Sequence, residues 1–235
     1  TGFLKVGITD APVDMAAAVV IKFTGVELKP QGGSAFSIDF ATPKSLDLIQ
    51  LQGEDRALLL DREEILAGEY EWMRLKVEAD PNVAGDSYLQ LETSGAACEI
   101  RLPSGDQTGL KLIRGFTLPA GGSLALTADF DLRKSIRQPP GQQGVGVNCT
   151  QGYLMKPVLR LVKDSEAGAI TGRVDPTLLA AAGCTRMVYA FSDGINAVGT
   201  TVPDDYGGTP PDPVQMVVAD ADGFYQVSFL PAGNY

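Results

Sequence analysis

The sequence predicts an all-β protein, in which a larger antiparallel β-sandwich domain is followed by a smaller β-sandwich. Apolar and polar residues alternate with a period of two through most of the chain, and no window has the apolar spacing of an amphipathic helix. Turn-forming pairs such as Gly32-Gly33 and Gly121-Gly122 separate the candidate strands at intervals of roughly 8–12 residues, as in sandwiches and barrels. At most one helical turn is expected, at 61–66.

The clearest strand covers residues 124–132. Its even-numbered residues are all apolar, and its odd-numbered residues include Asp129 and Asp131. Because successive side chains of a strand point to opposite faces, we expect the apolar face in the core and the two carboxylates in solvent.

Two further strands carry local signals. Apolar residues of the strand at 19–29 occupy odd positions up to Phe23 and even positions after Gly25, so a β-bulge at Gly25 would return both sets to the core. In the strand at 70–77, Tyr70 and Trp72 share a face. This pair predicts either a carbohydrate-stacking platform or, more commonly, two core aromatics.

The domain boundary is predicted within 163–168, a polar segment between two strands. It divides the chain into a first domain at 1–165 and a second unit at 167–235. A unit of this size is marginal for a core of its own, so we expect it to lean on its neighbour or on a cross-link.

Composition excludes several classes of function. The 235 residues carry 29 acidic and 19 basic side chains, a net charge of −10, which disfavours binding to nucleic acid. The chain has no histidine, so Ser-His-Asp and Cys-His catalysis and imidazole-ligated metals are excluded. No apolar run is long enough for a transmembrane helix. We expect Thr1 to begin a mature form whose leader lies upstream.

Motifs of the first domain resemble the bacterial DUF4382 family. They are Val6-Gly7-Ile8-Thr9-Asp10-Ala11-Pro12, Leu66-Ala67-Gly68-Glu69-Tyr70, Leu102-Pro103-Ser104-Gly105-Asp106-Gln107-Thr108-Gly109, Asp129-Phe130-Asp131 and Tyr153-Leu154-Met155-Lys156-Pro157. The resemblance implies an exported protein that is periplasmic, outer-membrane-anchored or extracellular. Many members are lipoproteins, so a lipid anchor upstream of Thr1 is also implied.

The second unit resembles the carboxypeptidase-regulatory-like modules, which are small immunoglobulin- or transthyretin-like β-sandwiches. The resemblance rests on Ile170-Thr171-Gly172-Arg173-Val174, Asp220-Ala221-Asp222-Gly223 and Leu230-Pro231-Ala232-Gly233. It implies a hairpin at the Asp-Gly turn and one further strand after Tyr235. A sandwich without that strand would expose an edge that another chain could complete by strand addition.

Cys98 and Cys149 are the predicted disulfide, because Cys98 shares the apolar face of its strand and an exported protein favours oxidised cysteines. Two buried free thiols are the alternative. Cys184 is then unpaired; it either bonds to a residue beyond Tyr235 or is a free or intermolecular thiol.

Three carboxylates are the candidate ligand residues. Asp10, Asp129 and Asp131 could hold Ca²⁺ or the hydroxyl groups of a glycan, since hard cations prefer oxygen ligands. The structural alternative is that Asp10 caps its own turn while the other two pair with lysines, and it is favoured. Two acids on one strand face do not flank a cleft as the acids of a glycosidase do.

We therefore predict a non-enzymatic cell-surface or periplasmic module without a cofactor. It would bind or support other molecules through protein contacts, and it could self-assemble by strand addition. A calcium- or carbohydrate-binding accessory domain is the alternative.

Overall fold

The structure, a computed structural model, describes residues 1–11, 16–80, 85–102, 109–139, 149, 152–175, 186–192 and 213–235. Those residues form the following strands in chain order: β1 (Gly2–Ala11), β2 (Ala16–Pro30), β3 (Phe36–Asp47), β4 (Ala57–Ile65), β5 (Gly68–Glu78), β6 (Tyr88–Leu91), β7 (Ala97–Arg101), β8 (Leu110–Leu112), β9 (Phe116–Leu118), β10 (Ser123–Asp131), β11 (Ile136–Arg137), β12 (Tyr153–Met155), β13 (Leu159–Lys163), β14 (Gly168–Arg173), β15 (Met187–Ala190), β16 (Gln215–Val218) and β17 (Phe224–Leu230). A short helix, α1 (Leu132–Ser135), and two 3₁₀ turns, Leu48–Gln50 and Asp164–Glu166, complete the described elements.

The all-β prediction is confirmed, and the first domain consists of two sheets. One sheet has the strand order β13-β10-β1-β4, and the other has nine strands centred on β2 and β5. Most pairs are antiparallel, but β1 pairs with β10, and β7 with β12, in parallel. Period-two alternation is the same for both strand directions, so the pattern alone could not have distinguished them.

The predicted bulge at Gly25 is confirmed. The register of β2 shifts between Phe23 and Gly25 against both of its neighbours, β3 and β5. A Cβ at Gly25 would lie 2.6 Å from the carbonyl oxygen of Ile38, so only glycine lets the two backbones approach this closely. Phe23 and Val26 are both fully buried as a result.

The hydrophobic core lies between the two sheets. Phe23 of the nine-stranded sheet meets Phe130 of the four-stranded sheet edge to face, with ring centroids 6.5 Å apart. Leu4, Val6 and Ile8 of β1 are fully buried in the same core. Burial of each such side chain contributes about 1.5–3 kcal/mol to the stability of the fold.

The second unit consists of two small antiparallel sheets, β14-β17 and β15-β16. Its core is formed by Ala190, Val217, Val227 and Leu230. The predicted turn at 220–223 is present, since the Asp220 side chain accepts hydrogen bonds from the backbone N–H groups of Asp222 and Phe224. The expected hairpin pairing is wrong, however, because β16 and β17, on either side of the turn, pair with β15 and β14 instead.

The predicted helical turn at 61–66 is wrong, because 57–65 is β4. A helical turn forms instead at α1, where the Asp131 side chain accepts a hydrogen bond from the backbone N–H of Lys134 at 3.1 Å. This capping bond satisfies an N–H group at the start of the turn. No helix within the described residues is long and apolar enough to cross a membrane.

Candidate functional site

The carboxylates predicted on β10 lie on its outer face, the face that points away from the core. This face is not solvent-exposed as predicted: the Asp129 side chain is only 5% exposed, and the Asp131 side chain is 21% exposed. The prediction was wrong because β10 is an inner strand of its sheet and the second unit covers its outer face.

Asp129 joins three elements. It lies directly opposite Arg160 of β13, which forms an ion pair with its Oδ2 atom. Gln215 of β16, in the second unit, donates a hydrogen bond from Nε2 to the same Oδ2 atom at 2.9 Å. The other oxygen, Oδ1, is buried and accepts no hydrogen bond from any described residue.

Burial raises the pKa of Asp129 above its usual value, because the charged form loses its hydration in the interface. Arg160 and Gln215 act in the opposite direction and favour the charged form, while nearby Asp131 raises the pKa further. The net shift of the pKa is upward, so Arg160 and Gln215 only partly compensate for the free-energy cost of burying the charged Asp129 carboxylate.

Further contacts connect the second unit to the first domain at exposed or half-buried positions. Arg133 of α1 donates from Nη1 to the Tyr189 hydroxyl at 3.4 Å. Gln226 of β17 donates from Nε2 to Glu54 at 3.2 Å.

Within the first domain, Thr127, which lies beside Asp129, donates from Oγ1 to Asp164 at 2.7 Å, and Asp164 forms an ion pair with Arg56. Polar residues of several elements therefore cover the outer face of β10.

A pocket of about 140 Å³ opens beside this interface. Asp129, Asp131 and Lys134 contribute to its lining from the first domain, and Val214 and Gln215 contribute from the second unit. Asp131 forms an ion pair with Lys134, three residues further along the chain, at 3.1 Å. Asp129 pairs with Arg160 and not with one of the lysines that the structural interpretation predicted across strands. The pocket marks the seam between the two units.

Asp10 does not join the other two carboxylates. It lies opposite Phe130 in the parallel β1-β10 pair, so its side chain is on the face opposite to that of Asp129. Its side chain is buried, and its backbone N–H donates to the Leu51 carbonyl at 2.9 Å. No group of three or more metal-ligating side chains forms among the described residues.

The predicted disulfide between Cys98 and Cys149 is present, with Cα atoms 4.8 Å apart. Cys98 is buried in the core, and the bond connects β7 to the segment before β12 across a separation of 51 residues. Cys184 lies outside the described residues.

The aromatic platform is not formed by the predicted pair. A register shift in the β2-β5 pairing between Lys29 and Pro30 places Tyr70 in the core, where it stacks on Phe116 with ring centroids 4.9 Å apart. Trp72 lies on the outer face, where the side-chain cations of Arg74 and Lys111 lie over its ring, 4.9 and 4.5 Å from the ring centroid. The shift puts the two residues on opposite faces.

A second feature of interest is the edge of β3. This strand has twelve residues and, within the described part of the chain, pairs only with β2. Lys44, in its second half, donates to the carbonyl oxygens of Leu58 and Leu59 of β4 at 3.1 and 2.9 Å. The first half, from Phe36 onward, keeps its outer backbone edge open among the described residues.

Sequence reasoning missed Arg160 and Gln215, the partners of Asp129. Arg160 could have been found, because a buried carboxylate requires a cation and 159–163 reads as a neighbouring strand. Gln215 carried no signal, because nothing in the sequence places its strand beside β10.

Comparison with known families supports the relationship of the first domain. A family model described as a domain of unknown function, DUF4382, matches residues 1–157. No curated protein and no solved structure matches the chain. The matched region contains the motifs on which the resemblance rested and covers well over half of the sequence. The chain belongs to the DUF4382 family.

Proposed function

We propose that this protein is a non-enzymatic binding or structural module of the cell surface or periplasm, and that it acts through protein contacts. The observation that carries this proposal is the outer edge of the first half of β3, which no described strand pairs with. A strand with an open edge presents backbone N–H and C=O groups to an extended segment of another chain, which can join the sheet by strand addition.

The edge of β3 suits this role better than the edges of the second unit, where the sequence pattern had suggested strand addition. The open first half of β3 belongs to a nine-stranded sheet, whereas the strands of the second unit form sheets of only two strands. An edge on a larger sheet is held more firmly in the extended conformation that a partner strand needs. Phe36, Ile38 and Phe40 also pack against the core, so the edge is held by a stable sheet.

The surroundings of Asp129 support a structural role for that carboxylate. Its Oδ2 atom is engaged by Arg160 of the neighbouring strand β13 and by Gln215 of the second unit, and only the Gln215 contact connects the two units. A general acid or nucleophile needs access to a substrate, whereas Asp129 is almost completely buried.

Two further parts of the proposal have support of their own. Export is favoured by the disulfide between Cys98 and Cys149, since such bonds persist in oxidising compartments. The identification of the second unit as a carboxypeptidase-regulatory-like sandwich is favoured by its two small packed sheets and by the turn at Asp220.

Site-specific photo-crosslinking in intact cells tests the protein-contact function. A photoreactive amino acid replaces Ser37, which is exposed on β3, and the matched control places it at Thr117, which is exposed on β9. We expect a protein adduct at position 37 and none at position 117. Equal labelling at both positions, or none at either, would contradict the proposal.

The carbohydrate- and calcium-binding alternative has its own test. A ligand that binds only the folded state must raise the unfolding temperature. The unfolding temperature is therefore measured with Ca²⁺ and with EDTA, and a glycan array is then probed for binding. We expect no shift with Ca²⁺ and no bound glycan. A saturable response would replace the protein-contact proposal with the alternative.

A further inference from the structure

The first half of β3 has a self-complementary sequence. Phe36, Ile38 and Phe40 lie on the face that packs against the core, and Ser37 and Asp39 lie on the outer face. The apolar positions are therefore arranged symmetrically about Ile38.

We propose that a second copy of this chain pairs with β3 through an antiparallel β3-β3 contact centred on Ile38. This inference rests on the proposed protein-contact function and names its partner. The pairing is isologous, which means that the same edge serves both copies around a two-fold axis and the assembly closes as a dimer.

This register places like residue types together on the inner face. Ile38 faces Ile38 of the second copy, and Phe36 faces Phe40 in both halves of the pair. Aromatic and β-branched cross-strand pairs are among those that stabilise sheets. The Phe36 ring is already held edge to face against Tyr70, with centroids 6.5 Å apart, so little side-chain freedom is lost on pairing.

The outer face is compatible with the same register, because it avoids a like-charge contact. Centring on Ile38 places Asp39 opposite Ser37 and keeps the two Asp39 carboxylates apart. Centring on Asp39 would set these carboxylates directly opposite each other, which is unfavourable. Asp39 also forms an ion pair with Lys76 of β5, at 2.5 Å, which lowers its repulsion toward a second copy.

The positions beyond this segment limit the contact. Pro43 has no N–H to donate, and the Lys44 ammonium group is held by the carbonyl oxygens of Leu58 and Leu59. The pairing therefore ends before Pro43. The net charge of −10 on each copy opposes association at long range, so the dimer should strengthen as salt screens that repulsion.

Sedimentation velocity over a concentration series, with a matched pair of charge variants, tests this register. Ser37→Lys places a cation opposite Asp39 of the second copy, and Ser37→Asp places a second anion there. Each change occurs twice per dimer, so we expect the dissociation constant to fall about tenfold for Ser37→Lys and to rise about tenfold for Ser37→Asp. Neither change touches the core, because Ser37 is exposed.

Ser45→Lys and Ser45→Asp are the controls, because Ser45 is an exposed residue of the same strand outside the paired segment. They change the net charge equally and should shift the dissociation constant much less. Equal shifts at both positions would show that only net charge matters and would overturn the register.

A monomer at every concentration and salt level would overturn the dimer itself. If photo-crosslinking at position 37 nevertheless captured a different protein, the protein-contact function would stand and only its assignment to a second copy would fail. An adduct of twice the chain mass supports both the protein-contact function and its assignment to a second copy.

Discussion

The two regions of the molecule differ in how their strands are stabilised. In the first domain, two sheets enclose a continuous core to which nearly every strand contributes. In the second unit, four strands enclose a core of four buried residues, namely Ala190, Val217, Val227 and Leu230. We therefore expect the first domain to fold on its own core and the second unit to depend on its contacts with the first.

Polar groups lie at the seam between the two regions. Contacts at Asp129, Arg133 and Glu54 supply part of the attachment of the second unit. Polar contacts orient the two regions relative to each other. Removing one of these contacts is strongly destabilising where it leaves a buried charge without its partner.

The largest expected effect is in the core of the first domain. Replacing Phe23 by alanine removes a fully buried ring and its contact with Phe130, which should cost about 3–5 kcal/mol in the free energy of unfolding. Urea denaturation followed by circular dichroism measures the loss. A loss below about 1 kcal/mol would show that this core is loosely packed.

A second large effect is expected at the disulfide. Replacing both Cys98 and Cys149 by alanine frees a loop of 51 residues in the unfolded chain, which should cost about 4 kcal/mol in the chain-entropy model. The disulfide and its reduced form can be compared in the wild-type protein as the control. Equal stability of the oxidised and reduced forms would contradict the prediction.

An intermediate effect tests the seam itself. Gln215→Leu removes the hydrogen bond to the Asp129 carboxylate and should cost about 1.5–3 kcal/mol in the free energy of opening of the second unit. Gln226→Leu, which removes the exposed contact with Glu54, is the matched control and should cost less than about 0.5 kcal/mol. Hydrogen exchange of β15 and β16 measures both. Equal costs for the two variants would contradict the prediction that the buried contact with Asp129 contributes more to stability than the exposed contact with Glu54.

The smallest effect is a change in pH dependence. Because burial raises the pKa of Asp129 in the folded state, its contribution to stability is fully present below the unfolded-state pKa and is lost as the pH rises through the folded-state pKa. The stability of the wild type relative to Asp129→Asn should therefore increase as the pH falls from about 7 toward about 4. Urea denaturation of both proteins at several pH values measures this difference, and a decrease would contradict the assigned direction.

Much of the first domain could be predicted from the sequence. The phase change at Gly25 predicted the bulge because alternation has a definite parity, and glycine marks the place where it breaks. The register shift beside Trp72 carried no such mark, so Tyr70 and Trp72 were assigned to the same face. The parallel direction of the β1-β10 and β7-β12 pairs could not be predicted, because the period-two pattern is the same in parallel and antiparallel strands.

The site at the seam was predicted in part. Asp129 was recognised as a candidate, but alternation cannot distinguish a polar face in solvent from a polar face against another unit. Asp10 was grouped with it by residue type, whereas the register of β1 against β10 directs the two side chains to opposite faces. Whether such a carboxylate is buried, and on which face it lies, is determined by the tertiary structure.

Hydrogen exchange of the intact wild-type protein across a urea series tests most directly whether the second unit depends on the first domain. The backbone amides of β2 report the first domain, and those of β17 report the second unit. We predict that β17 loses protection at the same urea concentration as β2 or at a lower one. Protection of β17 that persists after β2 has exchanged would contradict it.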